Sequence, residues 1–411
     1  MESSEYAARL NRYQTTVSCQ EPDRVPVAPL IMYLPFHLYP TTTIQDALYD
    51  WSKAETPYLR YHQEYEPDLG YGPQIFVPTN VLEMLDCQYI RWPGRHLADP
   101  NQGFQIPDGT YMSQEEYVDF AQDPTGFMLT RVLPRHYARL KGLSQLHFDS
   151  GIYMAGLYNL GTMARPEVRD AIEAMLEAGE KMADVSRNSA SCKEKLRESG
   201  FPMAIDTAGG LPFDFFNDYL RGLINTTMDM LECPDELLMA LEAVTRIRVE
   251  AIRRTLKDTP GKTYAFFVHN GMTEFMSPQQ FETFYWPGMK ACVEAVIEMG
   301  CTPRLYTEGN YETRLDYFAS FPKGKVVINF IGTDLRKAKE KLDGICCISG
   351  GVEAASLQYG TPEEVEKQVK QTLDVCAPGG GYILDCSACL DVARPENLRA
   401  LFQTARTYGV Y

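Results

Sequence analysis

The sequence predicts an α/β fold, a (β/α)₈ TIM barrel, and three observations carry that expectation. Five consecutive strand-then-helix units fill the stretch from Thr263 to Tyr408, as parallel strands with helical crossovers require. Their strands lack in/out alternation, which is the pattern of strands buried on both faces. About eight such units are available in the whole chain, and a single chain of 411 residues with that many favours a barrel over an open sheet. No G-x-G-x-x-G follows the first strand and no Walker sequence occurs, which counts against a nucleotide-binding sheet.

The elements follow in chain order. Arg24–Met32 and Gln74–Val77 read as early strands. Tyr89–Ser113 holds two extended pieces and the turn Pro107-Asp108-Gly109, the pattern of a β-hairpin excursion. Ile152–Leu157 and Met203–Thr207 read as strands, and Asp170–Arg187 and Asp235–Lys257 as long helices. Thr263–Val268 is a β-branched and aromatic strand. Ser277-Pro278-Gln279-Gln280 then opens a helix as a capping box with proline at the first helical position. That helix runs to about Met299, with a kink expected at Pro287. Strands at Arg304–Thr307, Lys325–Phe330, Ile345–Ser349 and Gly381–Leu384 alternate with helices from Tyr311, Asp334, Thr361 and Pro395. Thr361-Pro362-Glu363-Glu364 is a second capping box. Residues 1–411 thus read as one barrel domain, with an N-terminal extension and the hairpin excursion inside residues 1–140.

Composition removes several functions. The chain carries 39 basic and 55 acidic side chains, a formal charge of −16, so its field does not attract a nucleic-acid backbone. No apolar run approaches the roughly 20 residues that span a bilayer. The N-terminal residues show no secretory pattern, and the 11 cysteines show no disulfide framework, so a reducing cytoplasm is the expected setting.

Chemistry in a barrel sits at the C-terminal ends of the strands. That rule selects His269, Glu308, Asp206 and Cys386, with Cys389 completing a C-x-x-C, and Asn329 on a neighbouring strand. Imidazole, carboxylate and thiolate together suit Zn²⁺. The aromatics Tyr33, Phe36, Phe215, Phe216 and Tyr306 are candidates to wall an apolar substrate pocket. The run Phe213–Tyr219 reads more readily as core or lid than as a ligand cage.

Several segments resemble the uroporphyrinogen decarboxylase superfamily. They are Asp23-Arg24-Val25-Pro26-Val27, Met276–Phe281, Glu308-Gly309-Asn310, Gly350-Gly351-Val352-Glu353, Gly360–Val365, Gly379–Ile383 and Pro395-Glu396-Asn397-Leu398. The resemblance implies a (β/α)₈ barrel and, for some members, a homodimer. It departs from the decarboxylases: Tyr33–Pro40 holds no arginine, Gln74 stands where a catalytic Asp is expected, and Cys386 stands near the expected His. It lies closer to the corrinoid-dependent methyltransferases, whose zinc is held by His-x-Cys on one strand and a Cys near the last. Here the first pair aligns with Tyr306-Thr307-Glu308 and the last Cys with Cys386.

The expectation that follows is a zinc-dependent methyltransferase. It would move a methyl group between a small substrate, such as a methoxylated aromatic, and a corrinoid carried by a separate protein. Glu308 and Cys386 would be ligands, with His269 or Cys389 as the third group, and His269 and Asp206 the candidates for proton chemistry. The alternatives are a decarboxylase of uroporphyrinogen-like or other acids, and a metal-free barrel that binds a small ligand.

Overall fold

The structure is a computed structural model, and it describes residues 4–73, 77–148 and 156–411. Six parallel strands run in sequence order: β1 (Thr207–Gly209), β2 (Thr263–Val268), β3 (Thr302–Glu308), β4 (Val327–Ile331), β5 (Cys347–Val352) and β6 (Tyr382–Cys386). Two further extended segments, 25–31 and 68–71, join these six and close an eight-membered ring. Val27 bridges Leu384 of β6 in parallel, with Ala28 N donating to Leu384 O at 2.9 Å. On the other side Asp68 N donates to Val27 O at 2.8 Å, and Gly70 bridges Met203 just before β1. The architecture is therefore the (β/α)₈ barrel that the strand–helix grammar predicts. β2 is buried at five of six positions and β6 throughout, as expected for strands covered by helices outside and packed side chains inside.

The second barrel segment lies at 68–71, just before the expected strand Gln74–Val77. Residues 74–76, Gln74 included, fall outside the described residues, as do 152–155 of the expected strand Ile152–Leu157; Leu157 itself begins a short 3₁₀ turn, Leu157–Ala164. The segment 68–71 escapes a pattern search because it is only four residues long and opens on a charge. That charge is structural. Buried Asp68 receives Arg12 Nη1 at 2.7 Å, Arg24 Nη1 at 2.7 Å and Nη2 at 2.8 Å, and Val27 N at 2.8 Å. It ties the N-terminal helix Ser4–Val17 to both segments that complete the ring.

Both capping boxes form. Ser277 Oγ accepts from Gln280 N at 3.2 Å, and Thr361 Oγ1 accepts from Glu364 N at 3.3 Å. The helix that carries Pro287 is not regularly α. The chain widens into a π turn at Phe281–Tyr285, and a new α-helix starts at Trp286 with Pro287 in its first turn, where a missing N–H costs nothing. The long helix before β1 extends over Pro166–Glu198. The excursion at Tyr89–Ser113 is reduced to one antiparallel bridge, Arg91 with Gln105, and the turn at Asp108 packs against Gly222 and Leu223 rather than forming a hairpin tip.

Candidate functional site at the barrel mouth

β2 delivers His269 and Asn270 to the C-terminal rim, and the segment after β1 supplies their partners. A short helix Pro212–Phe216 runs into a π turn Asn217–Arg221, which sets Asp214 and Asp218 four residues apart on one face. Asp218 Oδ2 lies 2.7 Å from His269 Nδ1, and its Oδ1 receives Asn270 Nδ2 at 2.8 Å. Asp214 is buried. It accepts from Asn270 N and Asn270 Nδ2, both at 3.1 Å, from His269 N at 3.3 Å, and from Tyr285 OH at 2.8 Å. A carboxylate against Nδ1 requires that nitrogen to carry a proton, so the imidazole is oriented with Nε2 outward. Nε2 stands 3.7 Å from Glu308 Oε1 at the end of β3.

Burial alone would lower the pKa of His269. The hydrogen bond to Asp218 and the charges of Asp214, Glu308 and Asp218 outweigh it and raise the value to about 9. Asp214 moves the other way for a carboxylate. Burial and the charge of Asp218 raise it to about 6, against the lowering effect of His269, Tyr285 and Asn270. At neutral pH the rim therefore presents an imidazolium clamped from behind by two carboxylates, with a third in front.

Glu308 is half-exposed and is followed by Gly309 at φ +95°, where a Cβ would lie 2.7 Å from Met272 Sδ. Glycine there lets the chain turn from β3 without lifting Glu308 off the rim.

Other expected site residues lie elsewhere. Asp206 is not at the mouth. Its backbone N donates to Thr263 O, at the start of β2, and its carboxylate is held by Arg197 at 2.6 Å and Lys262 at 3.4 Å. Tyr306 is fully buried, hydrogen-bonded to Tyr71 at 3.2 Å and stacked on Phe267. Asn329 is fully buried and donates to Asp385 Oδ2 at 2.8 Å. Phe36 packs edge-on against Tyr58, and Phe216 against Phe120 and Tyr117, both out of reach of solvent. Tyr33 is buried over Gly103. These five side chains are core, which corrects the reading of the four aromatics as pocket wall and of Asn329 as a residue at the mouth. Phe215 alone is half-exposed, with the Arg248 guanidinium 5.5 Å from its ring.

The zinc expectation meets a geometric test. Cys386 is buried at the end of β6, and its backbone N donates to Asp385 Oδ1. Burial, then Asp385 and Cys389, push its thiol well above the ordinary range; Cys389 is raised by burial, then by Asp391, Asp385 and Glu308. Among the described residues no three His, Cys, Asp or Glu side chains gather in a set that could hold a metal ion. His269 and Glu308 face each other, but neither cysteine completes a ligand set with them, so this donor arrangement does not fit the expected zinc.

Asp214, Asp218, Asn270 and Tyr285 were not selected from the sequence. The available signal was the Asp-x-x-x-Asp spacing inside Phe213–Tyr219, masked by the aromatic residues around it.

With this geometry in place, the comparisons with known proteins are informative. Residues 209–408 match the family model for uroporphyrinogen decarboxylase (URO-D), which covers β2 to β6 and the closing helix and bears out the resemblance seen in the motifs. A solved methyltransferase from Methanosarcina mazei superposes with a TM-score of 0.62 at 14% identity, covering 97% of this chain and 98% of its own. At that identity the likeness is one of fold. No curated protein matches the chain. No helix among the described residues is long and apolar enough to cross a membrane.

Proposed function

We propose that this barrel is a methyltransferase that removes a methyl group from an oxygen of a small substrate, with His269 as the proton donor. The observation that carries the reading is the 2.7 Å contact of Asp218 with His269 Nδ1, which turns Nε2 to the mouth, where the raised pKa keeps it protonated at neutral pH. The URO-D match and the fold shared with a methyltransferase support the reaction class.

Cleaving a methyl ether leaves an electron pair on oxygen, and that oxygen needs a proton if the leaving group is to be an alcohol or phenol. In the proposed step the C–O bond breaks with its pair on oxygen, and the oxygen takes the Nε2 proton of His269. A reduced corrinoid carried by a separate protein would supply the electron pair that accepts the methyl group. Half-exposed Glu308, 3.7 Å from Nε2, connects the imidazole with solvent for reprotonation. No step passes through zinc. The rim carries three carboxylates around one imidazolium, which disfavours a polycarboxylate substrate and hence the decarboxylase alternative.

The test is formation of methylcobalamin from cob(I)alamin and 2-methoxyphenol, with His269→Gln beside the wild-type protein. Loss of a general acid is expected to slow the reaction by about 10²-fold or more. An undiminished rate in His269→Gln would rule out the proton-donor role.

A further inference from the structure

A second concave site lies at the other end of the barrel. A groove of about 1130 Å³ runs between the long helix Pro166–Glu198, the entry to β1 and the turn before β2. β2 has six residues, so the groove and His269 are separated by about 20 Å of strand.

One end of the groove is cationic. Arg197 reaches Asp206 at 2.6 Å and Glu194 at 3.1 Å, and Lys262 reaches Asp206 at 3.4 Å. Lys193 lays its stem across Gly72, where a Cβ would lie 2.9 Å from Lys193 Cγ. Its ammonium donates to the backbone oxygen of Asp206 at 2.7 Å, which satisfies a proton but balances no charge. Three cations thus meet two carboxylates, and one of these, Glu194, is 62% exposed and weakly effective. This local excess stands against a chain charge of −16. The rest of the groove is mixed: Val185 and Leu256 are buried in its floor and Met182 lies exposed along it, while Ser186, Ser189, Thr255 and Thr259 add hydroxyls.

A cationic end joined to a trough with an apolar strip is complementary to one kind of small molecule. We propose that this groove binds an organic anion, its carboxylate or phosphate between Lys193, Arg197 and Lys262 and its apolar body along Val185, Leu256 and Met182. Asp206, expected from sequence to do proton chemistry, here orients the two cations that pair with it. Its own charge limits the affinity for an anion.

Calorimetric titration of the full chain with phenyl phosphate, benzoate and inorganic phosphate tests the proposal. Phenyl phosphate or benzoate is expected to bind saturably and at least about tenfold more tightly than inorganic phosphate, and the better of the two identifies the head group. Lys262→Gln and Lys193→Gln should each weaken that binding about tenfold, while Lys262→Arg retains it. Lys262 is at the surface, so its variants keep the test valid if Lys193→Gln does not fold. Ligand-induced change in Trp51 fluorescence, absent in Trp51→Phe, should report the same affinity, because Trp51 lines the groove. Absence of saturable binding, wild-type affinity in both glutamine variants, or no advantage of either organic anion over inorganic phosphate would overturn the proposal.

Discussion

His269 gains its properties from groups that are far apart in sequence. Asp218 is 51 positions away and Glu308 sits on the next strand, so the residue alone discloses only an imidazole at a strand end. That much was legible, because the strand Thr263–Val268 was, and the same reasoning found Glu308. Asp206 was misplaced because the register of β1 against β2 cannot be read from one sequence, and it puts Asp206 at the strand entry. Charge linkage gives a first expectation. His269 has a folded pKa near 9 against an ordinary 6.5, so its stabilisation is fully present below pH 6.5 and lost as pH rises through about 9. His269→Gln should therefore lower the melting temperature more at pH 6 than at pH 10. An equal loss at both values would mean that the imidazolium contributes nothing. Cys386 gives a second expectation. As a buried thiol that joins no metal set among the described residues, its change to Ser should leave the zinc content of the purified protein unchanged, measured by elemental analysis.

Among the elements, those with chemical punctuation were the easiest to read. Two capping boxes and their prolines marked helix starts that the structure reproduces. Thr361→Ala should cost about 1 kcal/mol in chemical denaturation, the ordinary value of a lost N-cap; no loss would mean that Glu364 N finds another acceptor. The π turns were not legible. Asn217–Arg221 and Phe281–Tyr285 each widen a helix by one residue, for which a sequence has no distinctive letter, yet the first sets Asp218 against His269 and the second ends on Tyr285, which donates to Asp214. The excursion at Tyr89–Ser113 looked like a hairpin because turn residues and extended pieces were present; its antiparallel pairing is a single bridge, and the segment is held by contacts with residues 220–223.

At the scale of the whole molecule, closing the ring creates the site. The strand–helix grammar predicted the barrel from its second half, while the first two barrel segments depend on the Arg12, Arg24 and Asp68 network that no periodicity announces. Asp68→Ala leaves the largely buried Arg24 without its carboxylate and Arg12 with only the exposed Asp23, and should cost roughly 3–5 kcal/mol, measured by urea denaturation. A loss below about 1 kcal/mol would show that closure does not depend on it. Only in the closed barrel do the ends of β2 and β3 and the segment 212–221 converge, so the state of His269 reports on the assembled mouth. The direct measurement is an NMR titration of the His269 ring nitrogens in the intact protein and in Asp218→Asn. The expected result is a midpoint near 9 in the wild-type protein, moving down in the variant. A wild-type midpoint at or below the ordinary 6.5 would contradict an imidazolium donor at the barrel mouth.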